Sequence, residues 1–106
     1  MVMVKVENKR TYRGPGVYIG RPSVLGNPFQ IGPDGNRSQV IAKYAAYGAG
    51  LMRSNTPYKR EVLHLSEVYQ KKQGLTLICW CAPLACHGDV LARWIEALAR
   101  GANPFA

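Results

Sequence analysis

The stretch "LTLICWCAPLACHGDVLARW", residues 75–94, decides the architecture. Its first seven residues, Leu75 to Cys81, show little polar alternation. They read as a central strand buried on both faces, the habit of parallel sheets. "APLA" is a turn. From Cys86 to Gly101 the spacing changes to that of a helix, with Val90, Leu91, Trp94, Ile95 and Leu98 on one apolar face and Gly101 as the stop. A buried strand that feeds a helix through a short corner is the basic unit of α/β folds.

Upstream, two helices precede this strand. Asn36 or Ser38 caps the first, with Val40, Ile41, Tyr44, Tyr47 and Leu51 on its buried face. Gly48 and Gly50 weaken its last turn. Thr56 caps the second, Pro57 is its first residue, and Tyr58, Val62, Leu65 and Tyr69 form its stripe. Gly74 is expected to end it, and His64 is a surface or boundary residue of it. Before the helices, "VYIG" (17–20) is a short apolar run bounded by glycines and reads as a buried strand. "MVMVKVEN" (1–8) alternates, with Val2, Val4 and Val6 on one side and Met1, Met3, Lys5 and Glu7 on the other, as an edge strand does. The expected fold is a small α/β layer fold over residues 1–106 as one domain. It has a three- or four-stranded, partly parallel sheet flanked by three helices. Helical crossovers favour parallel pairing of "VYIG" with "LTLICWC".

Composition narrows the class. Hydrophobic residues make up 47% of the chain, and no apolar run approaches the roughly 18 residues of a membrane span. The N-terminus is too short and too polar for a signal peptide. Three cysteines without framework spacing fit reduced thiols, and a cytoplasmic protein is expected. The net charge of +8 is spread from Lys9 to Lys72 and favours anionic partners, either nucleic acid or a nucleotide-like small molecule.

Between "VYIG" and the first helix lies a long Gly/Pro/Asn loop, "RPSVLGNPFQIGPDGNRS" (21–38), and loops of this length inside a compact domain are usually functional. If the two strands are parallel neighbours, "GRPSVLGNPF" (20–29) and "CAPLACHGD" (81–89) leave the same edge of the sheet, where α/β proteins bind ligands. Arg21 offers a forked cation. Ser23 and Asn27 offer hydrogen bonds, while Gly20 and Gly26 allow close backbone approach. The structural alternative is a loop packed by Leu25, Pro28 and Phe29 for stability alone. The loop matches neither a Walker loop nor a dinucleotide fingerprint.

At the second loop, Cys79 and Cys81 on a strand would point to one face, with Trp80 on the other. Cys86 starts a helix, where backbone N–H groups favour a thiolate or a bound anion. His87 can tune it or act as acid/base. Asp89 is a first-turn carboxylate that favours helix starting, or a general base or ligand-orienting group. Three Cys and one His suffice numerically for zinc, but side-by-side thiols on a straight strand converge poorly, so neither a metal nor another cofactor is expected.

The motifs "YIGRPSVLGNPF" and "CWCAPLACHGDVLA" together resemble the small phage and prokaryotic proteins of domain of unknown function 4326. The hallmarks of that family are an Asn-Pro-Phe (Asn27-Pro28-Phe29) and a Cys-His-Gly-Asp (Cys86-His87-Gly88-Asp89). The second motif is also similar to the strand–helix corner of family 488. The resemblance implies a phage-related or prokaryotic origin and supplies no reaction.

The leading expectation is a protein that binds a phosphorylated nucleoside or nucleic-acid end between the two loops. Arg21, Ser23 and Asn27 would hold the ligand, with Cys86, His87 and Asp89 at its reacting or anionic end. Its enzymatic form would be a small hydrolase or transferase of nucleotide or DNA-modification metabolism. The alternatives are a non-enzymatic nucleic-acid-binding or nucleotide-sequestering accessory protein, and a metal-stabilised Cys/His module.

Overall fold

A computed structural model of the chain describes residues 4–105. The expected inward Val2 and outward Met1 and Met3 lie outside the described residues. The elements run β1 (Val4–Asn8), β2 (Val17–Tyr18), α1 (Arg37–Met52), α2 (Pro57–Lys72), β3 (Leu75–Cys79) and α3 (His87–Ala99). The three strands form one parallel sheet in the order β1-β3-β2. β3 is thus the centre and β1 an edge, as the apolar run of the first and the alternation of the second imply.

β3 is shorter and less enclosed than its sequence suggests. It ends at Cys79, so Trp80 and Cys81 belong to the following loop. Leu77 and Cys79 are buried, whereas Thr76 and Ile78 on the opposite face are only half-buried. The helices lie over the first of these faces, and α3 packs against β1 and β3. The segment from Lys9 to Gly16 returns from the C-terminal end of β1 to the start of β2, and Gly16 lies against the Ile78 side chain.

Capping sets the helix starts. Asn36 accepts from the Gln39 N–H at 2.9 Å while the Gln39 side chain accepts from the Asn36 N–H at 2.8 Å, a reciprocal capping box. Thr56 caps α2 through the Lys59 N–H, with Pro57 at the first position. That helix ends on Gln73, which takes the left-handed conformation (φ 57°) expected of Gly74.

The buried stripe of α1 is Val40, Tyr44, Gly48 and Met52, one residue in four, rather than a stripe through Tyr47, which is exposed. Gly48 is the reason. A Cβ there would lie 2.6 Å from the Tyr58 hydroxyl and 2.9 Å from the Trp94 ring. The position therefore makes room for side chains of α2 and α3 against α1 rather than marking a weak last turn. In α2, Tyr58, Val62 and Leu65 are buried with Ser66, while Tyr69 packs at the core margin and His64 is exposed.

Candidate functional site

Both loops leave the C-terminal edge of the sheet and face each other across a cleft of about 370 Å³. Gly20, Arg21 and Asn27 of the first loop line it with Cys86 and His87 of the second. Ser23, Gly26 and Asp89 do not line it. The physical reasons are local. Ser23 sits between two tight turns, Ser23 N–H to Gly20 O (2.9 Å) and Gly26 N–H to Ser23 O (3.0 Å), and its hydroxyl is buried. Gly26 passes so close to the Arg21 backbone that a Cβ would lie 3.1 Å from it. Its close approach therefore serves the loop. The Asp89 carboxylate accepts from the Cys86 N–H at 3.0 Å and closes a capping box at the start of α3, its helix-starting role.

The Asn-Pro-Phe turn is built by Asn27, whose Oδ1 accepts from the Phe29 N–H at 2.9 Å. Its Nδ2 reaches the Val40 carbonyl of α1 at 3.4 Å. Leu25 is buried, Phe29 lines the cleft with its ring edge-on to Tyr47 at 5.9 Å, and Pro28 is exposed. Loop packing and cleft lining thus coexist, carried by different residues.

His87 is 7% exposed, and its Nε2 lies 2.8 Å from the Ile19 carbonyl at the end of β2. A carbonyl only accepts, so Nε2 carries the hydrogen and Nδ1 keeps the lone pair. Burial holds its pKa below the usual histidine value, with Arg21 adding to the effect, so the ring is neutral near pH 7. Tyr44 stacks edge-on against it at 5.0 Å. The Tyr44 hydroxyl donates to the Leu25 carbonyl and accepts from Tyr58, both at 2.8 Å. One buried tyrosine of α1 thereby touches both loops and α2. Burial raises the pKa of both tyrosines, which stay neutral hydrogen-bonding groups.

The cysteines depart most from expectation. Because β3 ends at Cys79, the chain turns back, and Asn8 Nδ2 fixes the turn by donating to the carbonyls of Trp80 (3.1 Å) and Ala82 (2.8 Å). Cys86 returns to within 3.2 Å of Cys79, sulfur to sulfur, and all three Sγ atoms lie within 4.8 Å of one another. The premise that these thiols converge poorly is therefore overturned, and with it the spacing argument against a metal. The thiol chemistry shifts as well. The hydrogen bond shared with Cys86 holds the Cys79 thiol below the usual thiol range. The same hydrogen bond, followed by burial, pushes Cys86 up. Cys86 was the thiol expected to acidify. The start of α3 does supply it with the Gly88 N–H at 3.2 Å, but the neighbouring Cys79 thiol and burial outweigh that donor.

Arg37 and Trp80 also line the cleft, and neither had a role in the sequence reading. Arg37, at the start of α1, donates from Nη1 to the Ala85 carbonyl at 2.9 Å and ties the helix to the second loop. Its place beside the Asn36 cap at the end of the long loop was the available signal. Trp80 is 50% exposed at the cleft mouth. Its indole N–H donates to the Tyr18 hydroxyl at 3.0 Å, and the Arg10 guanidinium lies over its ring at 5.9 Å.

A family model described as Domain of unknown function (DUF4326) matches residues 2–97. No curated protein and no solved structure matches the chain.

Proposed function

We propose that this chain, which belongs to the Domain of unknown function (DUF4326) family, binds a phosphorylated nucleoside or a nucleic-acid end in the cleft between its two motif loops. The observation that carries the reading is the make-up of that cleft. Two guanidinium groups, Arg21 and Arg37, line a concavity that has the half-exposed Trp80 ring at its mouth. Guanidinium forks suit phosphate, and an indole face suits a base. The volume of about 370 Å³ falls in the ordinary range of small-ligand sites. The net charge of +8 favours the encounter.

The chemistry available at the floor is a thiol pair, Cys79 and Cys86, beside a neutral imidazole. A hydrolase or transferase acting on such a ligand would place its reacting end there. The three free thiols fit a reducing compartment, and we place the protein in the cytoplasm of a bacterial or phage-infected cell. Among the described residues, no helix is long and apolar enough to cross a membrane.

The test is a thermal-shift and calorimetric screen of nucleosides, nucleoside mono-, di- and triphosphates and inorganic phosphate, with product analysis of every binder. A phosphorylated nucleoside that stabilises the protein, with Arg21→Gln abolishing the shift, is the expected result. Equal stabilisation by inorganic phosphate alone would remove the nucleoside from the proposal. A second reading, binding of single-stranded nucleic acid, is favoured by the Arg10–Trp80 stack and by Lys9 over the Tyr18 ring at 5.5 Å. It predicts tight, salt-sensitive binding to oligonucleotides without preference for a terminal phosphate.

A further inference from the structure

We infer that Cys79, Cys81 and Cys86 form a three-sulfur site for a thiophilic divalent cation of the zinc type, with its fourth coordination position open to the cleft. The inference does not rest on nucleotide binding.

Geometry comes first. With metal–sulfur bonds of about 2.3 Å, tetrahedral ligation separates sulfurs by about 3.8 Å. The Cys79–Cys86 pair stands at 3.2 Å and all three sulfurs lie within 4.8 Å. Side-chain torsion alone covers the difference. The convergence is enforced by the backbone. The strand stops at Cys79, Asn8 clamps the carbonyls on either side of Cys81, and the Leu84 N–H closes the turn on the Cys81 carbonyl at 2.8 Å.

The second observation is that a backbone donor meets the cluster. The Gly88 N–H bonds the Cys86 sulfur at 3.2 Å, in a helix cap that would equally steady a thiolate ligand. Each thiol must lose its proton to bind a metal. Three thiols give up three protons to solvent for each divalent ion, leaving a site of charge −1. Arg21 and Arg37 line the same cleft and offset that charge.

Donor chemistry selects the ion. An all-sulfur set favours zinc and its thiophilic neighbours over magnesium or calcium, which require oxygen. Three protein ligands with one open position is the arrangement that leaves room for water or a ligand atom. Cys79 and Cys86 are buried, whereas Cys81 is only half-buried and lines the cleft, so the ion enters and presents its open position on that side.

The full chain, reduced and stripped with chelator, is titrated with cobalt(II) and then zinc(II). The expected result is a sulfur-to-cobalt charge-transfer absorption that saturates at one ion per chain and is displaced by zinc. Cys81→Ser, at a half-exposed loop position, should keep the native circular dichroism and weaken zinc binding at least about tenfold, since even outer-sphere partners of a metal are worth that much. Intact mass of protein purified without reductant supplies an independent check, with three free thiols expected after zinc removal. The inference is overturned by the absence of the charge-transfer band, by unchanged zinc affinity in Cys81→Ser, or by a Cys79–Cys86 disulfide in place of the metal.

Discussion

The imidazole Nε2 of His87 donates to the carbonyl oxygen of Ile19 at 2.8 Å, across 68 positions of sequence. This bond joins the first residue of α3 to the end of β2 and holds the two motif loops on the same side of the sheet. His87→Leu would fill much of the space and leave the Ile19 carbonyl buried without its donor, at a cost of about 1–3 kcal/mol. His87→Gln retains an N–H and should recover part of that loss. Urea unfolding of the three proteins checks the order. Equal stability of the Leu and wild-type proteins would mean that the bond does not hold the loops.

Tyr44 provides the second tie. Tyr44→Phe removes the donor to the Leu25 carbonyl and the acceptor of the Tyr58 hydroxyl, both at 2.8 Å. The expected destabilisation is about 1–3 kcal/mol, because a buried carbonyl is left unpaired. Tyr58→Phe should cost less, about 0.5–1.5 kcal/mol, since it takes one neutral bond and leaves Tyr44 bonded to Leu25. Denaturant midpoints read both.

Gly88→Ala is expected to destabilise even though alanine is the better helix former. A Cβ at this position would stand 3.0 Å from both the Ile19 Cδ1 and the Val6 Cγ1, where α3 begins against the sheet. Overpacking of that kind costs about 1–3 kcal/mol. A neutral or stabilising Gly88→Ala, measured by thermal unfolding, would show that α3 can lift off the sheet without penalty.

The layout was legible because it rests on local signals that tertiary packing did not override. The apolar run Leu75–Cys79, the alternation of β1 and the Thr56-Pro57 cap each speak for one element, and parallel pairing of β2 with β3 follows from the helices between them. What escaped depends on groups distant in sequence. Leu75 to Cys81 looks like one strand until Asn8, more than seventy residues earlier, captures the carbonyls of Trp80 and Ala82 and turns the chain at Cys79. The convergence of the thiols follows from that turn and could not be read from spacing. Gly48 looked like a flaw in α1 because its neighbours, Tyr58 and Trp94, come from other helices. At the site, Arg21, Asn27, Cys86 and His87 could be brought together from topology alone. The inward turn of Ser23 and the engagement of Asp89 by the Cys86 N–H could not.

Burial reverses the expected order of thiol reactivity. In metal-free, reduced protein, Cys81, half-buried at the cleft, should react first with an alkylating reagent. Cys79 and Cys86, at 1% and 3% exposure, should react only as fast as the second loop opens. Peptide mass mapping of a labelling time course reads this directly. Cys86 labelled ahead of Cys81 would mean that the second loop is open in solution.

The proposed occupant of the cleft between the two loops is a nucleotide-like anion. The most direct measurement is amide-resolved NMR of the protein during titration with a nucleoside monophosphate, repeated on Arg21→Gln. Arg21 is exposed, so the substitution leaves the core untouched. Saturable shifts are expected at Gly20, Arg21, Arg37, Cys81 and His87, together with their loss in the variant. Shifts spread over the basic surface at Lys9, Lys59 and Lys71 with the cleft amides unmoved, or the same cleft shifts in Arg21→Gln, would contradict it.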